Sequence, residues 1–261
     1  MPLIDELAKL DREDLDCSFA EALESAILQS AISGQLTIQH PEDGNATELL
    51  ERIATEREQL TKEGKLKRQK SVGPIEEDEK PFDIPGSWRW KRFAEIVSIN
   101  PPVYGRDDDQ VAFLPMASIA DGYSGDIEPD YRLWKEVKSG YAKFAQGDIV
   151  VAKITPCFQN RKSAIIKDMA SEIGAGTTEI HVCRPSALFN SEYALYVIKS
   201  EYVIASLIPK MTGTAGQKRI PVQAISKVPF PVPPVAEQKR IVQKLGEMMP
   251  ILYELKHSLT A

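Results

Sequence analysis

The chain has 261 residues, with 43% apolar and 27% charged side chains and a formal net charge of −6. These values are those of a soluble folded protein with its own core, and no stretch approaches the roughly 20 apolar residues of a membrane span. The N-terminus, MPLIDELAKLDRED, is acidic, unlike a signal peptide, so we expect a cytoplasmic protein without a membrane partner.

The cysteine and histidine content argues against a disulfide framework and against a metal site. The three cysteines are odd in number, far apart and never in CxxC spacing, and the chain has only three histidines. We therefore interpret all six as packing or surface residues: Cys17, Cys157, Cys183, His40, His181 and His257. No metal or other cofactor is expected on this chain.

The negative charge is concentrated at one end of the chain. Residues 1–84 carry 10 Lys and Arg against 20 Asp and Glu, whereas residues 85–230 carry 18 against 15 and residues 231–261 carry 4 against 3. The middle of the chain can therefore present a basic face to a nucleic acid despite the acidic total.

Hydrophobic periodicity predicts two helices in the first third. In FAEALESAILQSAISGQL the apolar residues recur at steps of three and four, and Gly34 follows as a terminator. ATELLERIATEREQLTKEGKLKRQK has Leu49, Ile53 and Leu60 on one face, with Thr47 as the predicted N-cap. The acidic, proline-rich VGPIEEDEKPFDIPG then predicts a linker or a strap draped over the fold.

From Trp88 onward the pattern changes to short apolar runs typical of strands. We predict strands in RFAEIVSI, VAFLPMASI, GDIVVAKI, SAIIKD and TTEIHVCRP, and one helical stretch in EYALYVIKSEYVIASLIPKM. Trp88 and Trp90 resemble base-stacking aromatics, but two residues apart on an incipient strand they are expected to pack the domain onto the linker or the flanking helices.

The segment INPPVYG raises the question of catalysis. Asn-Pro-Pro followed by an aromatic is the adenine-flipping motif of amino-methylating DNA methyltransferases, in which Asn100 would grip the exocyclic amine. Here Val103 occupies the aromatic position and Tyr104 comes one residue late. The G-x-G of Gly174 and Gly176 opens toward a predicted strand and not a helix. We predict that NPPVY is a turn between two strands, with a small adenine methyltransferase as the alternative.

Three stretches combine cations for phosphates with side chains that can read base edges. In KITPCFQNRKS the candidate DNA contacts are Lys153, Thr155, Gln159, Asn160, Arg161 and Lys162. In KMTGTAGQKRI they are Lys210, Thr212, Gly213, Thr214, Gln217, Lys218 and Arg219, with Gly216 allowing close approach to the backbone. In GAGTTE they are Gly176, Thr177 and Thr178. The alternative for each is an idle solvated loop, and we favour DNA contact most for GTAGQKR.

The C-terminal segment predicts a helix with a coiled-coil seam. The seam positions follow the proline-rich KVPFPVPPV and recur at steps of four and three: Ile241, Leu245, Met248, Leu252, Leu255 and Leu259. A solitary amphipathic helix is marginal, so this one needs a partner helix; packing on its own domain is the alternative. Pro250 lies inside the run and is expected to kink or split it.

Five segments, in order, resemble the specificity subunit of type I restriction-modification systems: IPGSWRWKRFAEI, GDIVVAKITPCFQNRKSAII, GTTEIHVCRP, MTGTAGQKRIPVQAI and PFPVPPVAEQKRIVQKL. The resemblance implies an α+β fold, in which a strand-rich target recognition domain at 85–230 lies between a helical region with its linker at 1–84 and a conserved helix at 231–261. It further implies that the long flanking helices form an antiparallel coiled coil or helix bundle.

The resemblance also implies a non-catalytic role. Such a subunit reads double-stranded DNA and recruits modification subunits, which carry the catalytic Asn-Pro-Pro motif and S-adenosylmethionine; a restriction motor subunit is a further candidate partner. Family members have two recognition domains, whereas this chain has one. We therefore expect a head-to-tail homodimer that reads two inverted half-sites. A decoy that binds modification subunits without reading DNA is the alternative.

Overall fold

A computed structural model describes residues 17–68 and 72–260. The predictions for residues 1–16, for the end of the second helix at 69–70, for the side chain of Cys17 and for Ala261 lie outside the described residues. The described helices are α1 Cys17–Ile32, α2 Ala46–Lys62, α3 Phe93–Ile96, α4 Trp134–Val137, α5 Ser191–Lys199, α6 Glu201–Leu207, α7 Val222–Ser226 and α8 Val235–Thr260. None of them is both long and apolar enough to span a bilayer.

The described strands are short. They are β1 Arg89–Arg92, β2 Val97–Ile99, β3 Gln110–Leu114, β4 Asp130–Leu133, β5 Ala142–Ala145, β6 Ile149–Ala152, β7 Ser163–Ile165, β8 Ile173–Gly176, β9 Ile180–Pro185 and β10 Pro229–Val232. The mixture of segregated helices and sheets is the expected α+β class.

Two four-stranded sheets pack face to face. One has the order β2-β9-β6-β7 and is antiparallel throughout, and the other has the order β4-β3-β8-β5 with a parallel β3–β8 pair. Side chains of β6 alternate between two cores: Val150 packs with Leu114 and Phe144 of the facing sheet, whereas Ile149 and Val151 pack toward the helices. The first sheet is therefore buried on both faces.

The two predicted N-terminal helices are present, with one change at a cap. Gly34 terminates α1 at φ +75°, where the Gln35 N–H donates to the Ser30 carbonyl at 2.8 Å. The N-cap of α2 is Asn45 and not the predicted Thr47, because the Asn45 side-chain oxygen accepts from the Thr47 N–H at 2.8 Å. Extended backbone at Asn45 gives its side chain this reach.

The predicted strand RFAEIVSI is interrupted by the helical turn α3. The carboxylate of Glu95 accepts from the Arg92 N–H at 2.9 Å, and Phe93, Ala94 and Ile96 are all buried, which an alternating strand would not allow. The predicted helix EYALYVIKSEYVIASLIPKM is likewise two helices. Extended backbone at Ser200 separates α5 from α6.

Four strands were not predicted: β4, β5, β8 and β10. The proline-rich segment KVPFPVPPV contains β10, which pairs antiparallel with β1 from Arg89 opposite Val232 to Arg92 opposite Pro229. Prolines are tolerated because this ribbon has two strands and each has a free edge. The ribbon ties the two ends of the strand-rich region together.

The acidic segment before β1 is a strap anchored by Arg92. The Arg92 side chain is only 5% exposed and pairs with the Glu79 carboxylate at 2.6 Å. It also donates to the carbonyl oxygens of Gly73 at 3.3 Å and Lys227 at 2.8 Å. The hydrogen bonds from Arg92 lower the pKa of the Glu79 carboxyl to about 2. One buried guanidinium therefore joins the strap to the end of α7.

Helix α8 packs antiparallel to α1 of the same chain. Lys256 near its end pairs with Glu21 of α1 at 2.7 Å, while Glu237 at its start accepts from Thr37 at 3.1 Å and from the Trp88 indole N–H at 2.7 Å. Trp88 thereby packs against the flanking helices, as predicted.

The predicted seam faces this intrachain contact. Ile241, Leu245 and Leu252 are buried, whereas Met248, Leu255 and Leu259 are half-buried. Because α1 of the same chain covers the seam, the seam alone does not require a helix from another chain.

Of the two predicted effects of Pro250, a kink or a split, the split is wrong, because α8 continues without a break from Val235 to Thr260. Proline cannot donate to the carbonyl four residues earlier, which here belongs to Gly246. Both residues are exposed, so water can bond that carbonyl.

Candidate DNA interface

The three predicted DNA-contacting stretches meet along one edge of the fold. The Lys153 N–H donates to the Glu179 carbonyl at 2.9 Å, and the Ile220 N–H donates to the Lys153 carbonyl at 2.8 Å. The Thr155 N–H donates to the Lys218 carbonyl at 3.0 Å, and the Lys218 N–H donates to the Thr155 hydroxyl at 3.1 Å. The start of the first stretch therefore lies between the second and third.

An ion pair locks this arrangement. The guanidinium of Arg219 donates to both carboxylate oxygens of Glu179 at 2.8 Å, and also to the Gln217 carbonyl at 2.9 Å. These hydrogen bonds hold the pKa of the Glu179 carboxyl below its usual value. Arg219 thus joins two loops through Glu179, and its predicted phosphate contact stays a prediction.

The tip of the second stretch, KMTGTAGQKRI, projects into solvent. The Thr212 and Arg219 backbones bond each other at 3.0 and 2.7 Å, which closes a hairpin-like loop with Gly213 and Gly216 at positive φ. The exposed members of this stretch are Lys210, Thr212, Gly213, Thr214, Gln217 and Lys218. We call residues 210–218 the tip loop. In this loop, backbone N–H groups and side-chain hydrogen-bond donors lie together at the surface, where a ligand can reach them.

Three predicted phosphate ligands carry unpaired charge. Among the residues that the structure describes, Lys153, Lys210 and Lys218 take part in no ion pair closer than 4.0 Å. Thr178 is exposed beside them, whereas the half-buried Thr177 accepts from the Glu179 N–H at 3.2 Å and shapes the turn. Unpaired lysines beside neutral hydroxyl groups are the combination that phosphate and base contacts require.

Two further predicted phosphate contacts are engaged elsewhere. Arg161 pairs with Glu201 at 2.6 Å, and its side chain lies toward the groove between α1 and α8. The Lys162 ammonium donates to the Ile119 carbonyl at 2.5 Å and lies 3.5 Å from Asp121. The chain makes a tight turn after Thr155, so these cations leave the edge on which Lys153 lies. Gln159 and Asn160 are exposed within that turn.

The predicted role of Gly176 in approaching DNA is also wrong, because this glycine is buried in β8. A Cβ there would meet the Leu114 carbonyl oxygen at 2.7 Å. Close pairing with β3 explains the glycine.

Sequence reasoning missed a cleft beside these loops. It has a volume of about 730 Å³ and is lined by residues 100–105 of the NPPVY segment, by residues 138 and 140–143, and by Lys153, Thr178 and Ile180. Its lining comes from segments far apart in sequence, and the one signal in the sequence was an aromatic residue, Tyr104, close to two prolines. Lys153 lines the cleft, and Thr155, two residues later, bonds to the Lys218 backbone of the tip loop, so the cleft lies beside the tip loop.

NPPVY lies in the loop that connects β2 and β3, so its predicted place between two strands is confirmed. Asn100 has φ +49°, its N–H donates to the Val182 carbonyl at 2.6 Å, and its side-chain oxygen accepts from the Val182 N–H at 2.9 Å. The amide oxygen that a methyltransferase would offer to an adenine amine therefore already has a partner.

His181 lies beneath the same edge. It is buried on β9, and one ring nitrogen lies 2.8 Å from the Ile220 carbonyl oxygen. Burial lowers the pKa of His181 to about 4, so the ring is neutral at physiological pH. Cys183, two residues on, is fully buried, and burial raises the pKa of its thiol. Both are packing residues, as predicted from the sequence.

Comparison with known proteins gives close relatives. No family model matches the chain. The type I restriction enzyme EcoAI specificity subunit of Escherichia coli is 43% identical over 250 residues, and the EcoEI specificity subunit of the same species is 44% identical over 250 residues. Each alignment covers 95% of this chain and 42% of the relative.

A solved structure shares the fold. The HsdS subunit from Thermoanaerobacter tengcongensis matches with a TM-score of 0.56 at 23% identity, over 68% of this chain and 46% of that one. The chain spans about two fifths of the length of its curated relatives. By its sequence, the chain belongs to the specificity subunits of type I restriction enzymes.

Proposed function

We propose that this chain is the DNA-recognition and scaffold component of a type I restriction-modification methyltransferase complex. It reads a half-site in double-stranded DNA and recruits the modification subunit, which supplies catalysis and S-adenosylmethionine. The observation that carries the proposal is the 43–44% identity to specificity subunits along 95% of the chain. The chain itself has no catalytic role in this proposal.

The proposed division of labour follows three segments. Residues 85–230 form the target recognition domain, whereas residues 1–84 and 231–261 form the helical scaffold. The antiparallel packing of α1 against α8 supports a common scaffold. The β1–β10 ribbon closes the domain where it meets the scaffold.

DNA contacts are proposed along the edge that carries the tip loop. Lys153, Lys210 and Lys218 bind phosphates, because their ammonium groups are unpaired within the described chain. The remaining members contact bases or the sugar-phosphate backbone: Thr155, Gln159, Asn160, Thr178, Thr212, Gly213, Thr214 and Gln217. Thr177 shapes the turn, and Arg219 fixes the tip loop through Glu179.

A head-to-tail homodimer is the proposed assembly. Support comes from two side chains near the end of α8 that α1 leaves uncovered: Ile251 is 65% exposed and Tyr253 is 55% exposed, on the two flanks of the buried Leu252. The relatives are more than twice as long as the matched segment, so two copies would provide a comparable length. The modification subunit and a restriction motor subunit are the other proposed partners.

Methylation mapping tests the proposal. The purified chain, its cognate modification subunit, or both are incubated with labelled S-adenosylmethionine and a random DNA library, and methylated positions are sequenced. We expect label at a defined sequence only when both proteins are present. Transfer by this chain alone would support the adenine methyltransferase instead. A stable complex that binds DNA no better than the modification subunit alone would support the decoy.

A further inference from the structure

We propose that Tyr104 contacts the bases of DNA bound across the cleft, so that the NPPVY loop is a base-reading arm of the interface. This inference rests on the proposed function and names a specificity residue that the predicted contact set did not include. Three features carry it: the exposure of the ring, the fixed conformation of the loop and the charges around it.

The Tyr104 ring is 83% exposed, the highest value among the large apolar side chains that the structure describes. It belongs to residues 100–105, which line the cleft together with Lys143 and Lys153. Aromatic rings that remain in water at a concave surface are common contacts for partners.

The loop that carries the ring is held at both ends. At the start, Asn100 pairs with the Val182 backbone through its N–H at 2.6 Å and its side-chain oxygen at 2.9 Å. At the end, Gly105 is so closely packed that a Cβ would lie 2.6 Å from Ile173 and 3.0 Å from Trp134. Two prolines restrict the backbone between these points. Little conformational entropy is then lost when the ring meets a ligand.

The charges around the cleft favour binding of a polyanion such as DNA. Lys143 and Lys153 line the cleft and form no ion pair among the described residues, and Thr178 adds a hydroxyl. Lys138, also in the lining, is paired with Asp107 at 2.7 Å. Phosphates bound by the free lysines would bring the neighbouring bases toward Tyr104. Aromatic side chains contact bases by stacking or by insertion into a groove.

DNA-binding measurements on the parental chain and on two Tyr104 variants test the inference. The full chain, assembled with its modification subunit, is titrated with its recognised DNA and with a scrambled duplex over a series of salt concentrations. Tyr104→Ala is expected to weaken binding to the recognised DNA by about 10-fold, with unchanged affinity for the scrambled duplex and an unchanged salt slope. Tyr104→Phe keeps the ring and is expected to restore most of the affinity.

Tyr131→Ala is the matched control, because Tyr131 is 41% exposed on β4 but does not line the cleft. Parental affinity of Tyr104→Ala for the recognised DNA would overturn the inference. So would an equal loss of affinity for both duplexes. The double variant Lys153→Ala, Lys218→Ala separates this failure from that of the proposed function: if it also binds like the parent, the whole interface is wrong.

Discussion

Arg219 and Glu179 form a two-point ion pair, with both donor–acceptor distances at 2.8 Å, which joins the tip loop to the start of β9. Arg219→Ala would leave the Glu179 carboxylate unpaired beside bound phosphates. We expect about 10-fold weaker DNA binding, and recovery of most of that loss in Arg219→Ala, Glu179→Ala, because the second change removes the repelling charge. Equal losses in the single and double variants would assign Arg219 to a direct phosphate contact.

Lys218→Ala tests the phosphate role of the tip loop. Its ammonium is exposed and has no ion-pair partner in the described part of the chain, so the substitution should weaken binding to all sequences. The slope of log affinity against log salt should fall by about 1. An unchanged slope in a salt titration removes Lys218 from the interface.

Arg161→Ala provides the contrasting case. Arg161 donates to Glu201 at 2.6 Å and to the Lys199 carbonyl at 3.0 Å, away from the proposed interface. We expect the salt slope to stay at the parental value and the free energy of unfolding to fall by about 1 kcal/mol. A lower slope without loss of stability would return Arg161 to the DNA contacts.

These outcomes separate what the sequence can predict from what it cannot. Helices α1, α2 and α8 were predicted because many apolar residues repeat with helical spacing. Arg161 and Lys153 are both cations of the same predicted stretch, so the sequence gives them the same expected role. In the structure, Arg161 instead pairs with Glu201 of α6. A partner 40 residues away leaves no local signal.

The strands of residues 85–230 were harder to predict from the sequence than the helices, for a related reason. The strands β4 (DYRL), β5 (AKFA) and β10 (PFPV) lack the run of β-branched residues that marks β6 (IVVA). Their positions depend on pairing with distant segments, as β10 depends on β1. The cleft was missed because strand pairing between distant segments brings its lining together. The departure from the Asn-Pro-Pro-aromatic motif, by contrast, is visible in the sequence itself, where Val103 replaces the aromatic residue.

His181 should make stability depend on pH. Burial lowers its pKa from 6.5 to about 4, so between these values the unfolded chain binds a proton that the folded chain does not. Stability is therefore complete above pH 6.5 and is lost on acidification, by about 2 kcal/mol between pH 7.5 and 5. In urea unfolding, His181→Met should remove this contribution, whereas His40→Gln should keep it. Identical pH profiles for His181→Met and the parent would contradict the assignment.

Asn100→Ala tests the absence of a catalytic role. Losing the side-chain bond to the Val182 N–H should reduce the free energy of unfolding by about 1–2 kcal/mol. Methyl transfer per DNA-bound complex should stay unchanged. Abolished transfer with DNA binding preserved would restore the methyltransferase interpretation.

Two exposed apolar residues on the flanks of α8 test the assembly. Ile251→Glu together with Tyr253→Glu should convert a dimer into a monomer without lowering the melting temperature, because both side chains are mostly exposed. Gln243→Glu, on an exposed position of the same helix, is the matched control and should leave the dimer intact. A parental sedimentation coefficient for the double variant would exclude these two positions from the contact.

The most direct test of the central claim is sequence-resolved methylation by the modification subunit, with this chain as the only variable. We predict methylated adenines at one defined sequence with the parental chain, and loss of that pattern with Lys153→Ala, Lys218→Ala although the two proteins still assemble. Methylation at the same sequence without this chain, or an unchanged pattern with the double variant, would contradict the account.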